Sequence, residues 1–293
     1  MEYERLIYTN ERGDSLELSV NSIYHCNVSK DVTGLSDVRN TIYSSSSVGQ
    51  HGDTYDGQRI EPREITATGH IKTTNKAQAR ELRRKALRIF NPELGGTIKY
   101  ICGDYEKIIS CRIDSSPQFY KKQVLTQFDI TFNCLDPFFR DELETKEDIA
   151  SWVSSWEFPT CIDNNEGMIF GYREESVIVD CYNEGDVATY MRIKFTALGT
   201  VVNPVLLNVD TQEYIQINAT MEAGDVIVID TTFGNKSVIL IRNGEKIDYF
   251  RKIDADSTFM KLEIGDNIFR YDAGEGINAL EVSIYYNAKY LGV

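Results

Sequence analysis

The sequence predicts a mainly β protein of two domains, the first with one α-helix and the second built from strands alone. Short segments along most of the chain alternate apolar and polar side chains, the pattern of a strand with one buried face. From residue 161 onward such strands follow at regular short spacing with Gly and Asn turns between them, which is typical of an antiparallel sandwich or jelly roll. The charge also changes along the chain: residues 1–140 contain 19 basic and 18 acidic residues, whereas residues 141–293 contain 12 and 27. We therefore predict a domain at 1–140, a connector at 141–160 and a domain at 161–293.

The composition argues against several classes of protein. Of 293 residues, 42% are hydrophobic and 26% are charged, which is ordinary for a soluble globular chain. No apolar run approaches the roughly 18 residues of a transmembrane helix, and the opening residues MEYERLIYTN lack the apolar core of a secretion signal. The net charge of −14 disfavours binding to a phosphate backbone. We expect neither membrane insertion nor general nucleic-acid binding.

The first domain is predicted to contain strands on either side of a long polar segment. Residues 4–9, 15–28 and 63–71 alternate as strands, and the centre of the segment 41–65 is rich in Ser, Gly, Asp and Tyr. Because that segment has few aliphatic residues, we predict an exposed loop or the tip of a long hairpin. Further along the chain we predict a hairpin with Gly103-Asp104 at its turn, which pairs residues whose numbers sum to about 207, and a strand over residues 123–134.

Residues 75–90 form the one long helix that the sequence predicts. Asn75 with Gln78 three positions later suits a capping box, and Asn91-Pro92 ends the pattern. The apolar side chains share one face, whereas the other face is basic, with Arg80, Arg83, Arg84, Lys85 and Arg88. A basic helix is compatible with nucleic-acid binding or with a solvated or subunit-facing surface. The second interpretation is favoured because no aromatic residues interleave the basic ones for base stacking.

The second domain carries the strongest hairpin signal in the chain. Asn243-Gly244 lies between the strand-like segments VILIR and EKIDYF, and both residues tolerate the positive φ that a tight type I′ turn requires. This signal predicts that the two segments form adjacent antiparallel strands of the sandwich.

The sequence contains no motif for catalysis, a cofactor or a metal. Its six cysteines include no C-x-x-C pair, and its three histidines are scattered. Gly-rich phosphate loops, nucleophile elbows and EF-hand patterns are also missing from the sequence. We expect no cofactor, no metal and no catalytic residue, and free thiols in a reducing cytoplasm.

Three blocks of sequence resemble a known family. They are QHGDTYDGQRIEPREITATGHI at residues 50–71, QFDITFNCLDPFF at residues 127–139, and a set from NEGDVATYMRIKF to LEIGDNIFRYD between residues 183 and 272. In this order they resemble the distal tail protein family of bacteriophages, also called the siphophage tail-component family. The ordered set is more specific than any one block.

The resemblance implies a structural role in a phage tail. It implies an N-terminal β-sandwich ring (belt) domain with one helix and a galectin-like C-terminal antiparallel β-sandwich. It further implies a hexameric ring that joins the tail-tube protein to the tail-tip hub, and in many phages to receptor-binding proteins, with DNA passing through the lumen. The implied location is the virion tail tip or baseplate, assembled in the cytoplasm of the host bacterium. No enzymatic activity is expected.

The resemblance and the composition together predict a subunit interface on the first domain. The long hairpin would reach a neighbouring subunit because its own residues cannot build a core, and the basic helix would face an acidic patch. The predicted interface residues are Tyr43, Val48, His51, Tyr55, Arg59, Arg80, Arg83, Arg84 and Arg88.

Three other functions remain open at the level of the sequence. A carbohydrate-binding host-adhesion protein would use a tryptophan or tyrosine platform in a groove of the second domain, but both tryptophans, Trp152 and Trp156, lie in the connector. A cell-wall hydrolase would need two carboxylates converging in a cleft. A tail-tube or hub ring protein of a phage-tail-like particle would differ in ring size and position.

Limited proteolysis tests the division into two domains. We expect the first cuts in or beside residues 138–160, where the charge changes and Asp136-Pro137 marks a turn, or in the exposed hairpin segment 44–58. Mass spectrometry of the early fragments locates the cuts. First cuts inside residues 176–240 would contradict the division.

Overall fold

The computed structural model describes residues 3–73, 75–121, 126–149, 152–154, 171–173 and 178–293. The chain forms two compact units, unit 1 from Met1–Glu142 with Lys289–Val293 and unit 2 from Leu143–Ala288. The sequence analysis placed residues 289–293 in the second domain, whereas they lie in unit 1. Much of the predicted connector 141–160 lies outside the described residues, so the domain limits stay a prediction.

Strands dominate both units, which confirms the predicted fold class. In the first part of the chain the elements are β1 Arg5–Asn10, β2 Ser15–Ser19, β3 Tyr24–His25, α1 Val28–Asp31, β4 Val32–Thr33, β5 Asn40–Ser45, β6 Thr54–Ile60, β7 Arg63–Ile71, α2 Lys76–Ile89, β8 Gly95–Cys102, β9 Tyr105–Ile113, β10 Gln118–Lys121, β11 Thr126–Cys134 and β12 Phe139–Arg140.

The remaining elements are almost all short strands. They are β13 Thr145–Asp148, β14 Trp152–Ser154, β15 Gly171–Arg173, β16 Ile178–Asp180, β17 Thr189–Ala197, β18 Val201–Asn208, β19 Tyr214–Gln216, β20 Thr220–Met221, β21 Val226–Asp230, β22 Ser237–Arg242, β23 Glu245–Asp248, β24 Lys261–Leu262, β25 Ile268–Glu275, β26 Leu280–Tyr286 and β27 Lys289–Tyr290, with single 3₁₀ turns at Phe250–Lys252 and Ile277–Ala279.

Unit 1 is built on one large sheet that closes on itself. Its strand order is β10-β11-β7-β3-β2-β1-β8-β9-β12-β27, and β11 also pairs with β9 where Phe132 lies opposite Ile113. The interior holds an aromatic cluster in which the Tyr8 ring lies 5.2 Å from Phe90 and 5.4 Å from Phe132, between centroids. Gly96 makes room for this cluster, because a Cβ there would stand 2.6 Å from the Tyr8 ring. The packing of the buried Tyr8 ring thus depends on a glycine at position 96.

The hairpin β8–β9 has the predicted register. Cys102 pairs with Tyr105 and Ile98 with Ile109, so paired numbers sum to 207 around Gly103-Asp104. Cys111 pairs with Gly96 and not with Cys102, as predicted.

Helix α2 confirms the predicted long helix, although its start is capped differently. The Asn75 side chain accepts a hydrogen bond from the Ala77 N–H at 2.9 Å, as a capping residue should. In a capping box, the Gln78 side chain would accept a hydrogen bond from the Asn75 N–H. Here the Asn75 N–H donates to the Thr73 hydroxyl instead, and that hydroxyl donates to Gln78 at 2.8 Å. Ala86 and Ile89 bury the apolar face in the core of unit 1.

The segment 15–28 is predicted from the sequence to be strand throughout, but the structure has strand in only part of it. It contains β2 and β3 and then enters the four-residue helix α1. The Asp31 carboxylate accepts from the Asn27 N–H at 2.9 Å, a local bond that favours the turn over a further strand.

Unit 2 contains two antiparallel sheets around one core. One sheet has the order β13-β26-β17-β21-β22-β23, and the other has the order β16-β25-β18-β19. Their inner residues, among them Phe195, Leu206, Phe269 and Ile284, form a single buried cluster. This arrangement agrees with the predicted antiparallel sandwich.

The turn between β22 and β23 has the predicted type I′ conformation. Asn243 and Gly244 have φ values of 52° and 83°, and the flanking Arg242 and Glu245 are paired. Both central residues therefore occupy the left-handed region that the turn requires.

Replacing Gly244 with Val should lower the free energy of unfolding by about 1 kcal/mol or more, because a β-branched residue is strained at positive φ. A Cβ at this position would meet nothing within 4 Å, so any loss reflects backbone conformation and not a clash. Thermal melts of the Gly244→Val and Gly244→Asn variants test this, since Asn tolerates the left-handed region. Equal melting temperatures for the wild type and the Val variant would contradict the prediction.

Residues 289–293 are held in unit 1 by pairing and by a buried arginine. Strand β27 pairs with β12 where Tyr290 lies opposite Phe139. The Arg63 guanidinium donates to the Leu35 carbonyl at 2.8 Å and also to the Leu291 carbonyl, and it lies 5.0 Å from the centroid of Phe139. Arg63 is 3% exposed, and this burial lowers its pKa from the ordinary value. We call this group of contacts the Arg63 clamp.

The variant Arg63→Met should keep the packing of the side-chain stem and lose the clamp. Because charge-assisted hydrogen bonds contribute on the order of 1.5–3 kcal/mol each and desolvation offsets part of this, we expect destabilisation of about 1–3 kcal/mol. Amide hydrogen exchange should accelerate first in residues 289–293. Arg242→Met is a suitable control, since Arg242 donates to Asp225 at 2.8 Å within unit 2 and has no part in the clamp or in the β12–β27 pair. Unchanged exchange in residues 289–293 would show that the clamp does not hold them.

Candidate subunit interface

The predicted long hairpin exists and is exposed along its whole length. Strands β5 and β6 pair only with each other in the sheets that the described residues form. No residue from 40 to 60 is buried, and only Thr41, Gly57 and Ile60 are half-buried. A two-stranded hairpin in water is marginally stable by itself, so this ribbon gains no support from a core of its own. We call residues 40–60 the ribbon.

Polar side chains hold the ribbon together across its two strands. Asn40 donates to Gln58 at 3.0 Å near the base, and Gln50 donates to Thr54 at 3.0 Å near the tip. The register shifts between Tyr43 and Ser44, next to Gly57 at φ 150°, which is a β-bulge. These bonds and the bulge define the shape of the ribbon without apolar packing.

Four apolar side chains of the ribbon lie in water. Ile42, Tyr43 and Tyr55 are 63%, 50% and 59% exposed, and Val48 at the tip is fully exposed. The register places Ser44 opposite Tyr55, so that Ile42 and Tyr55 share one face, while Tyr43 lies on the other face with Arg59. Exposed apolar groups concentrated on one small element make the ribbon a candidate interaction surface.

The structure gathers all five predicted ribbon residues on this one element. Tyr43, Val48, His51, Tyr55 and Arg59 are all exposed there. Ile42 was missed by the sequence analysis, although its place in the alternating stretch TIYSS could have indicated it.

The basic face of α2 divides into an exposed stripe and a packed residue. Arg80, Arg84 and Arg88 are exposed at successive intervals of four residues, and Lys76 extends the same row. The four cations span about 18 Å of helix, from a rise of about 1.5 Å per residue. Arg83 differs, because it is half-buried with its guanidinium 5.1 Å from the centroid of Phe119.

The cationic stripe is only weakly neutralised within unit 1. Arg88 lies 3.5 Å from Asp14, and the Arg88 side chain stays 74% exposed. Pairs of this kind contribute little to stability in water. Beside the stripe, an open groove of about 650 Å³ is lined by Asp14, Leu82, Arg84 and Arg88. The sequence analysis missed Lys76 as a member of the row.

The described residues contain neither a metal-ligand cluster nor a membrane-spanning helix. Within these ranges, no group of three or more His, Cys, Asp or Glu side chains is placed to hold a metal ion. No helix of the described chain has the length and apolar character that crossing a membrane requires. Cys26, Cys102, Cys111, Cys134 and Cys181 are free thiols, and burial raises the pKa of Cys26, Cys134 and Cys181 to about 12. Cys161 lies outside the described residues.

Two family models match the chain, one in each half. The model of the phage tail protein RIFT-related domain matches residues 24–134. The model of the siphovirus-type tail component, C-terminal domain, matches residues 184–290. A comparison with curated protein sequences gave no match.

Solved structures of phage tail components share the fold over the full length. The crystal structure of the Dit protein of phage SPP1, described as a paradigm of the hub adsorption apparatus in phages that infect Gram-positive bacteria, has a TM-score of 0.66 at 11% identity and covers 97% of this chain and 98% of that chain. A chain of the phage P2 baseplate in its activated conformation with Ca has a TM-score of 0.53 at 14% identity, with 100% of both chains covered. The same baseplate with Sr gives 0.50 at 14% identity and the same coverage.

Both halves of the chain therefore match structural components of phage tails. Residues 24–134 therefore belong to the phage tail protein RIFT-related domain family and residues 184–290 to the siphovirus-type tail component C-terminal domain family, which together identify a phage distal tail protein. Its place is the phage tail, as the sequence resemblance implied.

Replacing Tyr43, Val48 and Tyr55 together with Ser should leave the stability of the isolated chain unchanged within about 0.5 kcal/mol, because surface substitutions seldom exceed this. The matched control is Ile65→Ala, since Ile65 is fully buried in β7 and its truncation should cost about 2–5 kcal/mol. Urea unfolding of dilute protein measures both. A large loss in the triple variant would show that these side chains serve folding.

Proposed function

We propose that this protein forms a ring of six copies at the distal end of the phage tail tube. The ring joins the tail-tube protein to the tail-tip hub or tail-associated protein and, where present, to receptor-binding proteins. DNA crosses its lumen in transit, and the role is structural, without catalysis. Assembly takes place in the cytoplasm of the host bacterium before the ring enters the virion.

The observation that carries the proposal is the ribbon. It is ordered by polar bonds, it buries none of its own residues, and it presents Ile42, Tyr43, Val48 and Tyr55 to water. A neighbouring copy would cover these side chains. Contact between a ribbon and a different surface on the next copy is heterologous, and such contacts close into a ring when the rotation between copies divides a full turn.

The cationic stripe of α2 supports the same proposal through charge. Lys76, Arg80 and Arg84 lie in water in the near-neutral half of the chain, whereas residues 141–293 carry the whole acidic excess. An acidic surface on a neighbouring copy or on another tail protein would complement the stripe and set its orientation. Single exposed ion pairs contribute only about 0–1 kcal/mol each. The stripe would therefore set the orientation of the contact and add little to its free energy. Of the predicted interface arginines, Arg83 would contribute least to this contact, because its guanidinium already packs on Phe119.

The acidic excess also suits a conduit for DNA. Phosphates are repelled by carboxylates, so a lumen without cationic patches lets DNA pass without sticking. Free thiols buried in both units agree with assembly in a reducing cytoplasm.

Deleting residues 46–56 should abolish or strongly weaken assembly. Tyr43 and Gly57 are directly paired, so the deletion leaves Ser44-Ser45 as a two-residue turn and removes Val48, His51 and Tyr55. Arg84→Ala should weaken assembly much less. The molar mass from light scattering at matched concentration and salt compares these variants with the wild type.

The control for the deletion replaces exposed apolar residues of unit 2, Phe233 and Ile264, with Ser. These changes should leave the mass unchanged. Negative-stain microscopy should show sixfold rings, which distinguishes this protein from tube or hub rings of other sizes. A wild type that stays monomeric at high concentration would refute self-driven ring closure, and a deletion that assembles normally would refute the role of the ribbon.

A further inference from the structure

One face of unit 2 carries an ordered array of outward side chains. In the sheet β16-β25-β18-β19, Leu207 of β18 pairs with Tyr214 of β19 on one side and with Arg270 of β25 on the other. Two residues back along β18, the corresponding row is made of Gln216, Val205 and Asp272. Because alternate residues point to opposite faces of a strand, these six side chains share one face, and the intervening Leu206 and Ile215 are buried in the core.

The array lines an open groove of about 430 Å³ on this face. Val205 and Leu207 form its apolar floor, and Tyr214 adds an aromatic ring at one side. Polar groups of three kinds surround the floor: the amide of Gln216, the guanidinium of Arg270 and the carboxylate of Asp272. An apolar surface with a few convergent donors and acceptors is the usual design of a small-molecule site.

Hydrogen bonds fix the groove side chains in the absence of a ligand. The Tyr214 hydroxyl donates to Asp254 at 3.1 Å, and Asn218 donates to the other oxygen of Asp254 at 3.0 Å. Gln216 donates to Asn218 at 2.6 Å, which connects the aromatic side chain and the amide in one network. Such preorganisation reduces the entropy lost when a ligand binds.

The chemistry of the array selects among ligand classes. Arg270 and Asp272 lie 3.5 Å apart and cancel in charge, so the groove favours a neutral ligand over a polyanion. The main-chain groups of β18 are already paired with strands on both sides, which leaves none for an added peptide strand. A sugar ring has an apolar C–H face for the floor and the tyrosine, and hydroxyl groups for the surrounding amide, guanidinium and carboxylate.

We propose that this groove binds a neutral saccharide, as a site separate from ring assembly. A structural tail protein with this site would touch carbohydrate directly, beyond its role as an adaptor. The groove supplies the aromatic side chain, Tyr214, that sugar binding by the second domain would require. Binding at this site does not depend on the proposed ring, because its six side chains all belong to unit 2 of one chain.

The test uses the full chain on a printed array of neutral hexosides, N-acetylhexosaminides and uronic acids. The wild type should retain at least one neutral glycan, and the same glycan free in solution should compete. Tyr214→Ala should reduce apparent affinity on the order of tenfold or more, because it removes a ring that stacks on the sugar. Tyr214→Phe keeps that ring and should retain binding. Tyr182→Ala is the matched control, since Tyr182 is an exposed tyrosine of the same unit outside the groove.

A second variant keeps the test valid if Tyr214→Ala fails to fold. Asp272→Asn preserves the shape of an exposed side chain and should also weaken binding of the neutral glycan by several-fold. The proposal is overturned if the wild type retains no neutral glycan, if it retains only uronic acids, or if both groove variants bind as the wild type does. A wild type that binds the glycan but shows no ring mass in light scattering would contradict the proposed ring and would not contradict the proposed saccharide site.

Discussion

The Arg63 clamp is the interaction on which the architecture of unit 1 depends. Arg63 begins β7 immediately after the ribbon, and Leu35, whose carbonyl it binds, lies shortly before the ribbon begins. The same guanidinium reaches Leu291, so one buried side chain joins both ends of the ribbon to the returning tail of the chain. Charge-assisted bonds to main-chain carbonyls make this junction directional as well as stable. The ribbon therefore projects from a fixed base although nothing along its length is buried.

Unit 1 combines a core that stabilises its own fold with a ribbon whose apolar side chains are left uncovered. The closed sheet of unit 1 buries Tyr8, Phe90 and Phe132 and needs no neighbour for its stability. The ribbon has apolar side chains but no core, so the free energy of covering them becomes available when another molecule arrives. In the proposed ring, folding and association would therefore draw on separate sets of residues, and substitutions in one set would leave the other unaffected.

Local signals let the sequence predict much of the fold. Period-two alternation located most long strands, Asn243-Gly244 specified its turn, and Gly103-Asp104 set a register that the structure reproduces. The return of residues 289–293 to unit 1 could not be predicted, because the two-residue strands β12 and β27 are too short to show a period and are far apart in sequence.

The surroundings of the candidate interface residues could be predicted only in part, because they too depend on contacts between distant parts of the chain. Composition indicated the ribbon, but only packing shows that Arg83 stacks on Phe119 while its neighbours stay in water. The groove of unit 2 depends on three strands in register, which no local pattern encodes.

The pairing of β12 with β27 has a consequence for how such proteins diversify. The chain leaves unit 1 after Glu142, just past β12, and re-enters it at Lys289, the first residue of β27, and these two strands lie side by side with Arg140 opposite Lys289. Unit 2 is thus an insertion whose entry and exit are held close together by its host. Many folded domains have neighbouring termini, and such domains are tolerated as insertions. Recombination could therefore exchange the whole of unit 2 for another module without altering the packing of unit 1, so that a lineage could replace one half of the protein and keep the fold of the other.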